Sequence, residues 1–82
     1  MNLYFSFRSR TQSINFSRTL TSYGIQNKII STPKQISSEC GLSVIMPYSA
    51  LNTAQSLLGR NYNTFIGAYK LSNGYLTAII VR

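Results

Sequence analysis

Leu3, Phe5 and Phe7 alternate with Tyr4, Ser6 and Arg8, the two-residue period of a strand with one face in a core, and this predicts a first strand over residues 2–8. The period then lengthens. Ser13, Phe16, Leu20 and Tyr23 recur at spacings of three and four, with Ile14 broadening the stripe. Ser9 is placed to cap a helix and Gly24 to stop it in a left-handed conformation. Ser, Thr and Asn fill much of this helix, so packing rather than propensity must hold it. Residues 25–31 form the second strand candidate, and the step Thr32-Pro33 forces an extended or turning backbone. Residues 34–41 follow neither period and read as a polar loop, with room for one helical turn. Apolar character resumes over 42–46 and Pro47 ends it. Ser49 opens a second helix with Leu51, Ala54, Leu57 and Leu58 inward, closed by Gly59. Residues 63–70 and 75–81 read as a hairpin around Ser72-Asn73-Gly74, because Asn-Gly favours the positive φ angles of tight turns.

The element order is βαββαββ. Two helices and several strands in 82 residues favour an α+β, two-layer sandwich of the ferredoxin-like kind, with both helices on one face of a small, mostly antiparallel sheet. A chain of this length leaves no room for a second domain, so residues 1–82 are read as one unit. A hydrophobic fraction of 44% supports folding rather than disorder.

Charge changes the picture more than size does. Eight Lys and Arg stand against the single carboxylate of Glu39, a formal net charge of +7, which attracts polyanions. The cations are spread along the chain rather than gathered into a basic arm. The longest purely apolar run, residues 78–81, is far below the roughly 20 residues that cross a bilayer. The first residues have no basic leader ahead of an apolar stretch, so no signal peptide is expected. One cysteine makes no internal disulfide and suits a reducing compartment. These features predict a soluble, cytoplasmic protein without a membrane partner.

Chemistry narrows by elimination. With no His and one carboxylate, paired-carboxylate hydrolysis, a His-assisted nucleophile and a His/Cys metal cluster are outside the reach of one chain. The five glycines form no nucleotide-cradling motif, and neither a cofactor nor a metal is expected. Cys40 remains. Its thiolate is favoured by positive charge, with Lys34 the nearest cation in sequence, and by hydrogen bonds that Ser37 and Ser38 can donate. Gly41 lets the backbone turn tightly beside the sulfur. Glu39 opposes this if it points at the sulfur. Read from these residues alone, Cys40 is equally a small buried hydrophobe at the start of a strand.

The twelve residues from Ser31 through Thr32-Pro33-Lys34-Gln35-Ile36-Ser37-Ser38-Glu39-Cys40-Gly41 to Leu42 resemble the signature of the selenium/sulfur carrier-like family of small bacterial proteins, Thr-Pro-Arg-Glu-Ile-Ser-Ser-x-Cys-Gly followed by a strand. Phe7-Arg8-Ser9 before the first helix, Tyr23-Gly24-Ile25 after it and a helix beyond Pro47 fit the family layout, a similarity spanning about residues 3–69. Lys34 and Gln35 depart from the usual Arg and Glu, and the helices lack the charges expected of the family. The resemblance implies a carrier rather than a true enzyme. In that role Cys40, supported by Gly41, Ser37, Ser38 and Lys34, accepts sulfur or selenium from a donor protein as a persulfide or selenopersulfide and yields it to an acceptor protein.

Two readings without chemistry compete. Tyr62, Phe65 and Tyr69 with Arg60 and Lys70 could form a nucleic-acid surface on the fourth strand, although strand aromatics more often belong to a core or sheet face. The apolar last strand, residues 75–81, could pair edge to edge with a second copy as a homodimer.

Overall fold

Ser9 ends the first strand and begins the first helix in one residue: its backbone is extended at φ −83° and its side chain accepts from the Gln12 N–H. The computed structural model describes residues 2–34, 36, 41–59 and 62–79. In chain order these form β1 (Asn2–Phe7), α1 (Arg10–Ser22), β2 (Lys28–Ser31), β3 (Leu42–Pro47), a 3₁₀ turn (Tyr48–Ala50), α2 (Leu51–Leu58), β4 (Phe65–Ser72) and β5 (Tyr75–Ile79). The strands make one five-stranded sheet in the order β2-β3-β1-β4-β5, every pairing antiparallel.

The α+β class, the helix pair and the element order agree with the sequence pattern. The ferredoxin-like description does not hold in full, because the sheet has five strands and a correspondingly different order. The fifth strand is added by a two-residue hairpin in which Asn73 (φ 53°) and Gly74 (φ 81°) both take positive φ and Ser72 pairs with Tyr75.

The core lies between the sheet and the helices. Leu3, Phe5 and Phe7 of β1, Val44 and Met46 of β3 and Ala68 of β4 meet Phe16 and Leu20 of α1 and Ala54 and Leu58 of α2. Burying each large apolar side chain contributes about 1.5–3 kcal/mol. Aromatic rings dominate the packing: Phe5 stacks on Phe16 with centroids 5.5 Å apart, and Tyr62 meets Phe7 and Phe16 edge-on at 5.5 and 5.4 Å.

Several boundaries differ from the expected ones for local reasons. Strand β2 begins at Lys28 rather than at residue 25, because the Ile25 N–H closes α1 on the Leu20 carbonyl while Gly24, at φ 76°, bonds Thr21. The helix ends at Ser22, which leaves Tyr23 63% exposed instead of inward, and Ile14 lies at the solvent side of its stripe. The second helix opens through the 3₁₀ turn without a side-chain cap from Ser49. Strand β4 starts at Phe65 rather than 63, because Thr64 is held in a turn by Gln12, whose Oε1 accepts from its N–H at 3.1 Å and its hydroxyl at 2.6 Å.

One irregularity has a larger effect. Ser6 faces Gly67 on β4 but Phe7 faces Phe65, so Ile66 is an extra residue in a β-bulge. Plain alternation would put Phe65 and Tyr69 on one face. The bulge sends Phe65 to the core beside Phe7, at 5.4 Å between ring centroids, while Tyr69 pairs with Tyr4 on the opposite face. The expected nucleic-acid surface is thereby divided: Tyr62 and Phe65 pack against the core, Lys70 stands opposite Leu3 on the helix side, and Arg60 lies outside the described residues.

Candidate functional site

The segment carrying the sequence motif leaves β2 at Ser31 and re-enters the sheet at Leu42, and these two residues are register partners. One step further out, the Thr32 N–H donates to the Gly41 carbonyl at 3.1 Å, which closes the loop at its base. Pro33, with its fixed φ, begins a turn in which the Ile36 N–H returns to the Pro33 carbonyl at 3.0 Å. This turn is what the helical-turn expectation for the loop amounts to among the described residues.

Gly41 is fixed by its surroundings. A Cβ there would lie 2.6 Å from the Phe7 carbonyl oxygen, 3.4 Å from Thr32 Oγ1 and 3.6 Å from the Arg8 Cα. The first contact is with backbone, which cannot swing aside. The loop therefore returns to the sheet pressed against the end of β1, where only a residue without a side chain fits.

A line of hydroxyls supports the same corner. Ser43 Oγ donates to Thr32 Oγ1 at 3.0 Å and lies 2.7 Å from Ser6 Oγ. Since the Ser43 proton is committed to Thr32, Ser6 supplies the proton of the second bond. Ser6 and Ser43 are fully buried on neighbouring strands, so this chain links the central strand, β3 and the base of the loop. The Ser13 hydroxyl of α1 donates to the Ser9 carbonyl at 2.9 Å and reaches the Leu42 carbonyl at 3.4 Å, tying the first turn of the helix to the same place. Sequence reasoning did not single out Ser6, Ser43 or Thr32. The available signal was a serine at two successive inward-reading apolar stretches, Ser6 between Phe5 and Phe7 and Ser43 between Leu42 and Val44.

Of the motif residues assigned a role, Gly41 and Lys34 are within the described residues and Cys40, Ser37 and Ser38, with Glu39 between them, lie outside them. Lys34 is exposed, as are Arg8 just past β1 and Arg10 at the start of α1, so three cations share the end of the sheet from which the loop projects. An open concavity of about 280 Å³ bounded by Gln26, Lys28, Met46 and Pro47 sits at the opposite end, away from the motif. Among the described residues no group of three or more His, Cys, Asp or Glu could hold a metal, and no helix is long and apolar enough to cross a membrane.

With the loop base defined, its sequence can be compared with known families. The family described as "Putative Se/S carrier protein-like" matches residues 2–70, from the first strand to β4. The chain belongs to this family. No curated protein and no solved structure matches it. The family match covers both helices and four of the five strands, leaving β5 and most of the closing hairpin beyond it.

Proposed function

We propose that the protein is a carrier of sulfane sulfur or selenium and that Cys40 is the acceptor. Gly41 is the observation that carries this reading. The backbone that follows Cys40 in the chain is held so tightly against Phe7 that no other residue fits, a constraint suited to fixing a reactive group rather than to closing an ordinary loop. Membership of the family supplies the class of cargo. The positive end of α1 and the exposed Arg8, Arg10 and Lys34 favour anions at this end of the sheet, and both a thiolate and a persulfide are anions.

In this role the Cys40 thiolate attacks the terminal sulfur of a donor persulfide. A new S–S bond forms on Cys40, the donor's S–S bond breaks, and the donor leaves as a thiolate, with no net oxidation or reduction of the pair. An acceptor thiolate reverses the sequence. A donor selenopersulfide follows the same course with selenium as the transferred atom. Ser37, Ser38 and Lys34 are the proposed supports for the bound anion. One thiol suffices, and the absence of a second cysteine protects the adduct from collapse into an internal disulfide.

Intact-mass measurement after incubation with a persulfide donor tests this. The expected result is a gain of one sulfur atom, removed by a dithiol reductant and absent from Cys40→Ala. A native chain that gains nothing under conditions that load a free cysteine peptide refutes the carrier reading.

A further inference from the structure

The helices cover one face of the sheet, and no described segment covers the other. The register fixes what that face presents. Tyr4 on the central strand has Tyr69 on one side and Ile45 on the other, Ile30 lies beside Ser43, and Leu71 faces Leu76 across the closing hairpin. Tyr69 folds back over Gly67, where a Cβ would stand 3.1 Å from its hydroxyl and 3.3 Å from two ring carbons, so the side chain lies along the sheet. Although the chain has eight cations, Lys28 on an edge strand is the one charge that the described strand residues place on this face.

From this we infer that the open sheet face is a self-association surface, occupied by the same face of a second copy. The inference is independent of the chemistry of Cys40. Charge argues for the occupant. A nucleic acid needs cations beside its stacking aromatics, and here Lys70 stands on the helix side while Arg10 and Lys34 belong to α1 and the motif loop. An apolar face almost free of charge, centred on two tyrosines and rimmed by a lysine, has the composition of an interface between like chains.

Size agrees. Five strands about 4.8 Å apart span roughly 19 Å, and six residues of β1 about 20 Å. Pairing two such faces buries on the order of 1,000 Å² in total, the lower end for a specific association. The two sheets stack about 10 Å apart as in a β-sandwich. A two-fold axis near the Tyr4–Tyr69 pair makes the contact closed and self-complementary. The ends of the strands, including the motif loop, stay outside the contact.

Sedimentation velocity over a wide concentration range, in reductant so that Cys40 forms no intermolecular disulfide, tests the inference. The expected result is a reversible rise from 9.2 kDa to twice that mass. Tyr69→Glu should weaken association by at least about tenfold with an unchanged far-UV circular dichroism spectrum, and Ile30→Lys provides the same reading from another strand if the first variant fails to fold. A native chain that stays monomeric overturns the inference. So does a dimer indifferent to both substitutions, which would indicate edge pairing through β5, and so does a monomer that binds a single-stranded oligonucleotide through Tyr69.

Discussion

Gly41 and Phe7 stand so close that a single added methyl group on Gly41 would press to 2.6 Å from the Phe7 carbonyl oxygen. Because the obstacle is backbone in the middle of a paired sheet, Gly41→Ala must move either the end of β1 or the loop. The expected cost is about 1–3 kcal/mol, measured by urea denaturation. If the loop is what moves, sulfur acceptance by Cys40 falls as well, while a surface change such as Arg18→Ala leaves both properties intact. An unaltered stability would show that the loop base is loose and that Gly41 is not the constraint described above.

The hydroxyl line gives an asymmetric prediction. Ser43 both accepts from Ser6 and donates to Thr32, so Ser43→Ala leaves the Ser6 hydroxyl buried without a partner. Ser6→Ala removes one donor and leaves the bond from Ser43 to Thr32 in place. The expected losses are about 1–3 kcal/mol for Ser43→Ala and about 0.5–1.5 kcal/mol for Ser6→Ala, with the double variant costing less than their sum. Thermal or chemical denaturation of the four proteins reads the cycle. Equal costs for the two single variants would contradict the direction assigned to the chain.

The bulge at Ile66 separates two aromatics that the sequence places together. Phe65 packs 5.6 Å from Phe5 and 5.4 Å from Phe7, whereas Tyr69 lies on the open face. Phe65→Ala should therefore cost about 3 kcal/mol of folding stability, near the lower end for a core aromatic because Phe65 is only partly buried. Tyr69→Ala should leave monomer stability within about 1 kcal/mol and act on association instead. Urea midpoints taken at a concentration where the chain is monomeric distinguish the two.

That contrast shows which parts of the fold could be read from the residues. The strand and helix periods were legible because each element buries one face. Leu3, Phe5 and Phe7 could point only one way, and Ser9 and Gly24 mark the ends of the first helix by their own local chemistry. The bulge was not legible, since Ile66 resembles any other strand residue and its extra place is set by pairing with β1. The fifth strand was visible as a hairpin, but its consequence for sheet order was not. At the motif, twelve consecutive residues carried the family assignment. The loop's support from Ser6, Ser13 and Ser43 is dispersed over 37 positions and assembled only by folding.

Salt supplies the last test, and its sign follows from composition. Eight cations and one carboxylate permit at most one ion pair between acidic and basic side chains, so ionic interactions within the folded chain are mainly repulsive. The molecule measures 29 × 24 × 22 Å. At 0.01 M salt the Debye length is about 30 Å and every charge is felt across the whole molecule, whereas at 0.15 M it is about 8 Å and only near neighbours interact. Raising the salt between these limits should therefore raise Tm, by about 4–8 °C for each 1 kcal/mol of repulsion relieved in a domain of this size. A protein held together by surface ion pairs would respond in the opposite direction. Scans at micromolar protein, repeated with Tyr69→Glu, separate this effect from salt-promoted association: the same rise in both proteins assigns it to the monomer. A fall in Tm with salt would mean that attraction among these charges outweighs their repulsion, which eight against one does not allow unless the cations are gathered around Glu39.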